Sequence, residues 1–243
     1  MSTIDAKFYQ NNGYYLYKQP LLSQEKFQTL NDIFDELVNS SEGLRGDEHD
    51  TPHFNDRRLL DILRSDEVLD IVEQAIGPNI GLWSSHFISK EPFVGRKTPW
   101  HEDSAYWNGR FDRLDKIVTV WLALDNSTLE NGCMGVIPGS HNNGFSDYVE
   151  VDAETNTFGS EIRQDQVDLD KVVWFELNKG ECSLHDGRII HGANANTSPY
   201  RRCGYTMRYF SLDMKLDQDH PGNKTHKIFW CRGENIAGNP LII

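Results

Sequence analysis

From Pro78 onward the sequence is written in short segments rich in β-branched and aromatic residues, and this limits the fold more than any other feature. The segments are Ile80 to Ser89, Ile117 to Leu124, Met134 to Ile137, Val172 to Leu177, Glu181 to Leu184 and Gly204 to Phe210. Turn residues separate several of them, at Glu130-Asn131-Gly132, Pro138-Gly139-Ser140 and Asn178-Lys179-Gly180. Strands of this kind, with no internal repeat, predict a β-sandwich or barrel. The first third reads as helical. Phe27, Leu30, Ile33, Phe34 and Leu37 recur at helical spacing behind Ser23, a suitable N-cap. A second helix is expected from Ser65, with Asp66 and Glu67 in its first turn, ending at Gly77-Pro78. The expected organisation is a single domain over 1–243: a helical flank to about residue 78, a β core from about 79 to 211, and a C-terminal extension over 212–243. Beyond Pro138 the run His141-Asn142-Asn143-Gly144 favours irregular backbone, which predicts a long loop to about Arg163 that could cover a site.

A formal net charge of -13 repels a phosphate backbone, and no run of Lys and Arg offsets it locally, so nucleic acid is not an expected partner. No apolar run is long enough to span a bilayer, and Met-Ser-Thr-Ile-Asp-Ala-Lys has no basic region leading into an apolar stretch. The expectation is a cytoplasmic protein without a membrane partner. Cys133, Cys182, Cys203 and Cys231 are widely spaced, with no C-x-x-C pair, and read as reduced thiols.

Trp100-His101-Glu102-Asp103 holds the only His-x-Asp of the chain. On a strand, alternation puts His101 and Asp103 on one face and Glu102 on the other, so imidazole and carboxylate converge. The triplet alone is weak, since about one is expected by chance at this composition. A distant second histidine, His191, completes a two-histidine, one-carboxylate set that leaves one side of a metal open, as in iron(II) oxygenases. Three such ligands and a water also describe a catalytic zinc site. Arg202, eleven residues after His191, separates the two chemistries: a planar guanidinium grips the distal carboxylate of a diacid co-substrate, which zinc hydrolysis does not need. His185 is the rival distal ligand, but eleven residues beyond it stands Asn196, which cannot balance a carboxylate. Arg201 is the fallback for Arg202 should loop length shift the register.

With these residues go Gly77-Pro78-Asn79-Ile80, Val118 to Leu124, Glu130-Asn131-Gly132-Cys133 running into Ile137-Pro138-Gly139-Ser140-His141, and Lys179-Gly180 through His185-Asp186-Gly187 to His191-Gly192. In these motifs the chain resembles the phytanoyl-CoA dioxygenase family of iron(II)- and 2-oxoglutarate-dependent oxygenases, from Gly77 to Phe210. The resemblance implies a mainly β fold with flanking helices, a double-stranded β-helix (jelly roll, cupin-like), with His101 and Asp103 on one strand and His191 on a later one. It implies a non-haem dioxygenase that binds Fe(II), consumes 2-oxoglutarate and O2, and releases succinate and CO2 while oxidising a C–H bond of a small molecule. Hydroxylation is the default outcome; cyclisation, desaturation and demethylation share the same ligands, and Asp103 disfavours halogenation, because related halogenases carry a small residue there. Arg202 would grip the C5 carboxylate of 2-oxoglutarate, with Trp121 and His86 lining the co-substrate pocket. Glu102 and Ala193 depart from the Gln and Ser common in the family. Rival classes are a zinc-dependent hydrolase or isomerase and a non-catalytic binding protein on the same scaffold.

The substrate contacts are read from position. Tyr106 and Trp107 follow the ligand pair and could flank the substrate or simply close a strand end. Trp121 shares a strand face with Thr119 and Ala123, which suits core packing and pocket lining alike. An inward Arg202 brings Arg208 inward by parity, and a buried arginine needs an anionic partner: a substrate carboxylate, or an internal Asp or Glu.

Overall fold

The computed structural model describes residues 3–40 and 48–243; Met1 and Ser2, from the amino-terminal stretch read above, and residues 41–47 lie outside the described residues. The helices are α1 (Ala6–Asn12), α2 (Gln24–Ser40), α3 (Arg57–Leu63), α4 (Asp66–Ile76) and α5 (Asp103–Trp107). The strands are β1 (Tyr14–Tyr17), β2 (His49–Asp50), β3 (Ile80–Lys90), β4 (Thr98–His101), β5 (Ile117–Ala123), β6 (Met134–Val136) and β7 (Tyr148–Glu150). They continue with β8 (Ser160–Ile162), β9 (Val173–Trp174), β10 (Cys182–Asp186), β11 (His191–Ala193), β12 (Arg202–Ser211) and β13 (Phe229–Arg232).

A large antiparallel sheet runs β1-β10-β5-β12-β3-β13, with β2 beside β3, and faces a four-stranded sheet ordered β4-β11-β6-β9. This is the jelly roll. The large sheet alternates cleanly. Val118, Val120 and Leu122 of β5 point into a core shared with α2, α3 and α4, while Thr119 and Trp121 point between the two sheets. Helix α4 shows why the flank docks there: Asp66 and Glu67 sit at its positive end, and Val68, Leu69, Ile71, Val72 and Ile76 are all buried. Each such side chain contributes about 1.5–3 kcal/mol by leaving water. The helix stops where expected, at Gly77, whose φ of 95° suits glycine and whose N–H donates to Glu73 O.

Three features differ from the sequence reading. The amino-terminal flank is not purely helical, because β1 pairs in register with β10 along the sheet edge, Tyr14 opposite His185 and Tyr17 opposite Cys182. The stretch after residue 211 is less an extension than a continuation of the core, since β13 adds a strand to β3. The expected loop over 141–163 contains a β-hairpin, with Tyr148 opposite Ile162 and Glu150 opposite Ser160. Two short strands in a polar, turn-rich stretch leave little hydrophobic alternation to read. All four cysteines are free and buried, and among the described residues no helix is long and apolar enough to cross a membrane.

Candidate active site

His101 ends β4 and Asp103 opens α5, so the two are not on one strand, as the sequence reading supposed. Glu102 is the hinge between them, in extended conformation. The chain turns there because the carboxylate of Glu102 faces away from the pair and is held by the hairpin. Its Oε1 accepts from Ser146 Oγ at 2.5 Å and its Oε2 from Tyr148 Oη at 2.6 Å. The opposed direction of Glu102 was foreseen; the helical start was not.

His191 of β11 lies directly opposite His101 of β4 in the register of the small sheet, and the two rings are 4.1 Å apart between centroids. One ligand atom each from His101, Asp103 and His191 lies within 4.8 Å of the others, and all three residues are buried. Both imidazoles are oriented by backbone. His101 Nδ1 is 2.7 Å from Pro99 O and His191 Nδ1 is 3.0 Å from Ile189 O. Because a carbonyl oxygen only accepts, each Nδ1 is the donor in its contact, which leaves Nε2 as the ring nitrogen available to a metal. Burial first, then the neighbouring His101 and His185, hold His191 well below the ordinary histidine range, so it is neutral at physiological pH.

Asp103 is ionised for the opposite reason. Burial pushes its carboxyl up, but the Arg208 guanidinium and then His101 and His191 outweigh this and leave it well below the usual carboxylate range. Its two oxygens divide the work. Oδ1 faces His101 Nε2 at 3.7 Å, while Oδ2 accepts from Thr119 Oγ1 and Arg208 Nε, each at 3.4 Å. Two imidazoles and one carboxylate suit a divalent cation that prefers nitrogen and oxygen donors.

The inner pocket around this triad also contains Arg202, Trp121 and Thr206. Arg202 is 3% exposed, its Nε has no hydrogen-bond partner, and among the described residues no carboxylate pairs with it. Its guanidinium stands 4.9 Å from the Trp121 ring, and burial lowers its pKa to about 10, which still leaves it charged at neutral pH. Gly204 makes room for that indole: a Cβ there would sit 2.1 Å from Trp121 Cζ2. Arg201 is bound elsewhere, to Asp125 at 2.8 Å. Parity along β12 brings Arg208 inward with Arg202, because the bulge in this strand comes only after Arg208.

The other sequence candidates divide by position. His185 is in the inner pocket but outside the triad; it is buried, with its ring 4.9 Å from that of His191 and its pKa lowered by burial to about 4. It is thus deep in the pocket, not at the mouth. Asn196 serves the backbone, donating to Lys90 O and Tyr200 O. His86, Tyr106 and Trp107 do not reach the inner pocket and instead line a second, outer cavity. Sequence reasoning missed Phe158, which the hairpin tip brings edge-on to His101 at 4.9 Å, and Thr119, whose position was visible only as the strand face it shares with Trp121.

The family model described as Phytanoyl-CoA dioxygenase (PhyH) matches residues 9–204. The chain belongs to the phytanoyl-CoA dioxygenase family. Of its relatives in that family, a phytanoyl-CoA dioxygenase domain-containing protein 1 homolog of Caenorhabditis elegans is 29% identical over 160 residues, 64% of this chain and 55% of that protein. A probable alpha-ketoglutarate-dependent hypophosphite dioxygenase of Stutzerimonas stutzeri is 30% identical over 168 residues, 68% of this chain and 57% of that one. The chain spans about half the length of the curated relatives it matches. Among solved structures, the apo non-heme monooxygenase ThoJ superposes with a TM-score of 0.77 at 21% identity, covering 98% of this chain and 86% of that one. The epimerase SnoN, solved with Fe3+, alpha-ketoglutarate and nogalamycin RO, gives 0.71 at 19%, covering 89% of each chain. The chain shares the fold of these structures, and the motif resemblance is borne out.

Proposed function

We propose that the chain is an Fe(II)- and 2-oxoglutarate-dependent dioxygenase that oxidises a C–H bond of a small molecule, with hydroxylation as its outcome. The observation that carries the reading is Arg202, a buried cation with no counter-ion among the described residues, in the same pocket as a two-histidine, one-carboxylate triad. A buried, unpaired guanidinium is costly, and a bidentate carboxylate is the group that offsets it. A zinc hydrolase would have water on the open side of the metal and no use for that charge.

In this reading His101 and His191 hold the metal through Nε2, and Asp103 through the oxygen that Thr119 and Arg208 leave free. Iron with 2-oxoglutarate and dioxygen, when bound, supplies the oxidising power, and succinate and CO2 are the by-products. Arg202 holds the distal carboxylate of the co-substrate, with Trp121 backing the guanidinium. Arg208 keeps Asp103 anionic, and the Phe158 ring shields His101 from bulk water. His86, Tyr106 and Trp107 then belong to the substrate side. The four unpaired thiols fit a reducing compartment such as the cytoplasm.

Succinate formation from 2-oxoglutarate under air, with Fe(II) added to metal-free protein, tests the reading. His101→Ala is expected to abolish it while the protein stays folded; turnover retained in that variant, or turnover with Zn(II) under nitrogen, overturns the proposal.

A further inference from the structure

The inner pocket opens into an outer cavity of about 600 Å³, and the two share Ile88, Thr98, Asp103, Phe158 and Arg208. Small-molecule pockets commonly run from about 300 to 1,000 Å³, so the outer cavity has the capacity for a substrate. Its wall contains a cation that the triad does not use. Arg110 donates from Nε to Asn223 Oδ1 at 2.7 Å and from Nη2 to Gly222 O at 2.5 Å, and its guanidinium lies 4.3 Å from the Trp83 ring. Asn223 is itself fixed, since its Nδ2 donates to Arg110 O and Asp217 O. Every one of these partners is neutral. Among the described residues no carboxylate is within ion-pair distance of Arg110; burial disfavours its charge, and the more distant Asp50 offsets only part of that. A side chain braced this way has N–H groups left over and little freedom to lose on binding.

The acids that border the cavity do not cancel it. Glu48 and Asp50 lie on the exposed rim, where Asp50, with a side chain 67% exposed, stands 3.8 Å from His86. Charges there are screened by water. Arg208, 13% exposed and 5.7 Å from the Trp107 ring, adds positive charge at the neck between the two cavities. Of the two partners the sequence left open for Arg208, a substrate carboxylate or an internal acid, its Nε serves the internal one, Asp103.

We propose that the outer cavity takes a carboxylate-bearing organic molecule, anchored through that carboxylate by Arg110, with its body along Trp107 and its far end at the neck formed by Asp103 and Phe158. This rests on the oxygenase reading of the triad, and it names the substrate class. The test is calorimetric titration, under nitrogen, of protein loaded with Fe(II) and saturating 2-oxoglutarate. The probes are two matched pairs, phenylacetate with phenylacetamide and hexanoate with hexanamide. The acid of at least one pair is expected to bind at least ten-fold more tightly than its amide, and Arg110→Gln should cut that preference to under about three-fold, a charged hydrogen bond being worth this much. Arg110→Lys, which keeps the charge but not the fork, should fall between, and supports the proposal should the Gln variant fail to fold. Equal binding of acid and amide, no binding by any of the four probes, or a preference undiminished in both variants overturns it. Binding of the acids only when 2-oxoglutarate is left out assigns them to Arg202 and overturns it too. Failure of the oxygenase reading looks different: 2-oxoglutarate itself then gives no heat with the Fe(II) protein, and the acid–amide comparison made without it still reports on Arg110.

Discussion

Arg202 is where stability and function oppose each other in a single residue. In the free protein it is a buried cation facing an indole and, among the described residues, no acid, and an arrangement of that kind costs free energy that a hydrophobic residue would not. Arg202→Leu is therefore expected to raise the thermal midpoint of the ligand-free protein, or leave it unchanged, while the 2-oxoglutarate requirement rises at least 30-fold, the lower end of what a desolvated charge pair is worth. Differential scanning fluorimetry and succinate assays across 2-oxoglutarate concentrations read the two effects separately. A variant that is less stable and equally active shows that Arg202 is structural. Arg201, one residue earlier, is salt-bridged to Asp125 and should tolerate the same change with no effect on that requirement. The sequence ranked these two arginines by their spacing from His191, which is a local count along the chain. It could not find Arg110, whose role depends on Asn223 and Gly222, more than a hundred positions away.

At the scale of elements, the turn from β4 into α5 does more than bend the chain. Glu102 joins the ligand turn to the hairpin β7–β8, so the roof that carries Phe158 and the pair His101 and Asp103 are held by one carboxylate. Glu102→Ala leaves the half-buried Ser146 and Tyr148 hydroxyls without their shared acceptor, which costs about 1 kcal/mol per lost hydrogen bond. The expected result is faster amide exchange over residues 148–162, with exchange in β12 unchanged, read by hydrogen–deuterium mass spectrometry. Equal protection of the hairpin in both proteins disproves the tether. This element also shows the limits of sequence reading. Its long strands and the ends of α4 were legible because hydrophobic period and capping residues are local. The hairpin was not, because its short polar strands show little hydrophobic alternation, and the helical start at Asp103 was not, because the adjoining Glu102 is held by hydrogen bonds from residues more than forty positions away. The triad was legible in identity, through the only His-x-Asp and a distant histidine, but not in conformation.

For the whole molecule, the large sheet is buried on one side by helices and encloses the candidate site on the other, so groups far from that site also titrate with folding. His53 is such a group. It lies on the β3 side of the structure, with its Nδ1 2.6 Å from Ser85 Oγ, and burial lowers its pKa to about 3. The unfolded chain binds this proton at about pH 6.5 and the folded chain does not, so stability is full above that value and falls as pH drops below it. Between pH 7 and pH 5 the loss from this residue is about 2 kcal/mol. Urea unfolding of metal-free protein at both values, for wild type and His53→Gln, measures it as the part of the pH dependence that the variant lacks.

The four buried cysteines have a bearing on how long such a protein survives its own chemistry. Burial pushes the Cys133 thiol up to about 11 and the Cys231 thiol to about 12, and it drives Cys182 and Cys203 higher still. Cys133 and Cys203 both lie close enough to Arg202 to feel its charge, yet at neutral pH both remain protonated, the form least open to oxidation. Under the proposed oxygenase reading, protonated thiols beside Arg202 are poor targets for stray oxidants formed at the site. Native protein should accordingly show almost no reaction with Ellman's reagent, and four equivalents after unfolding in guanidinium.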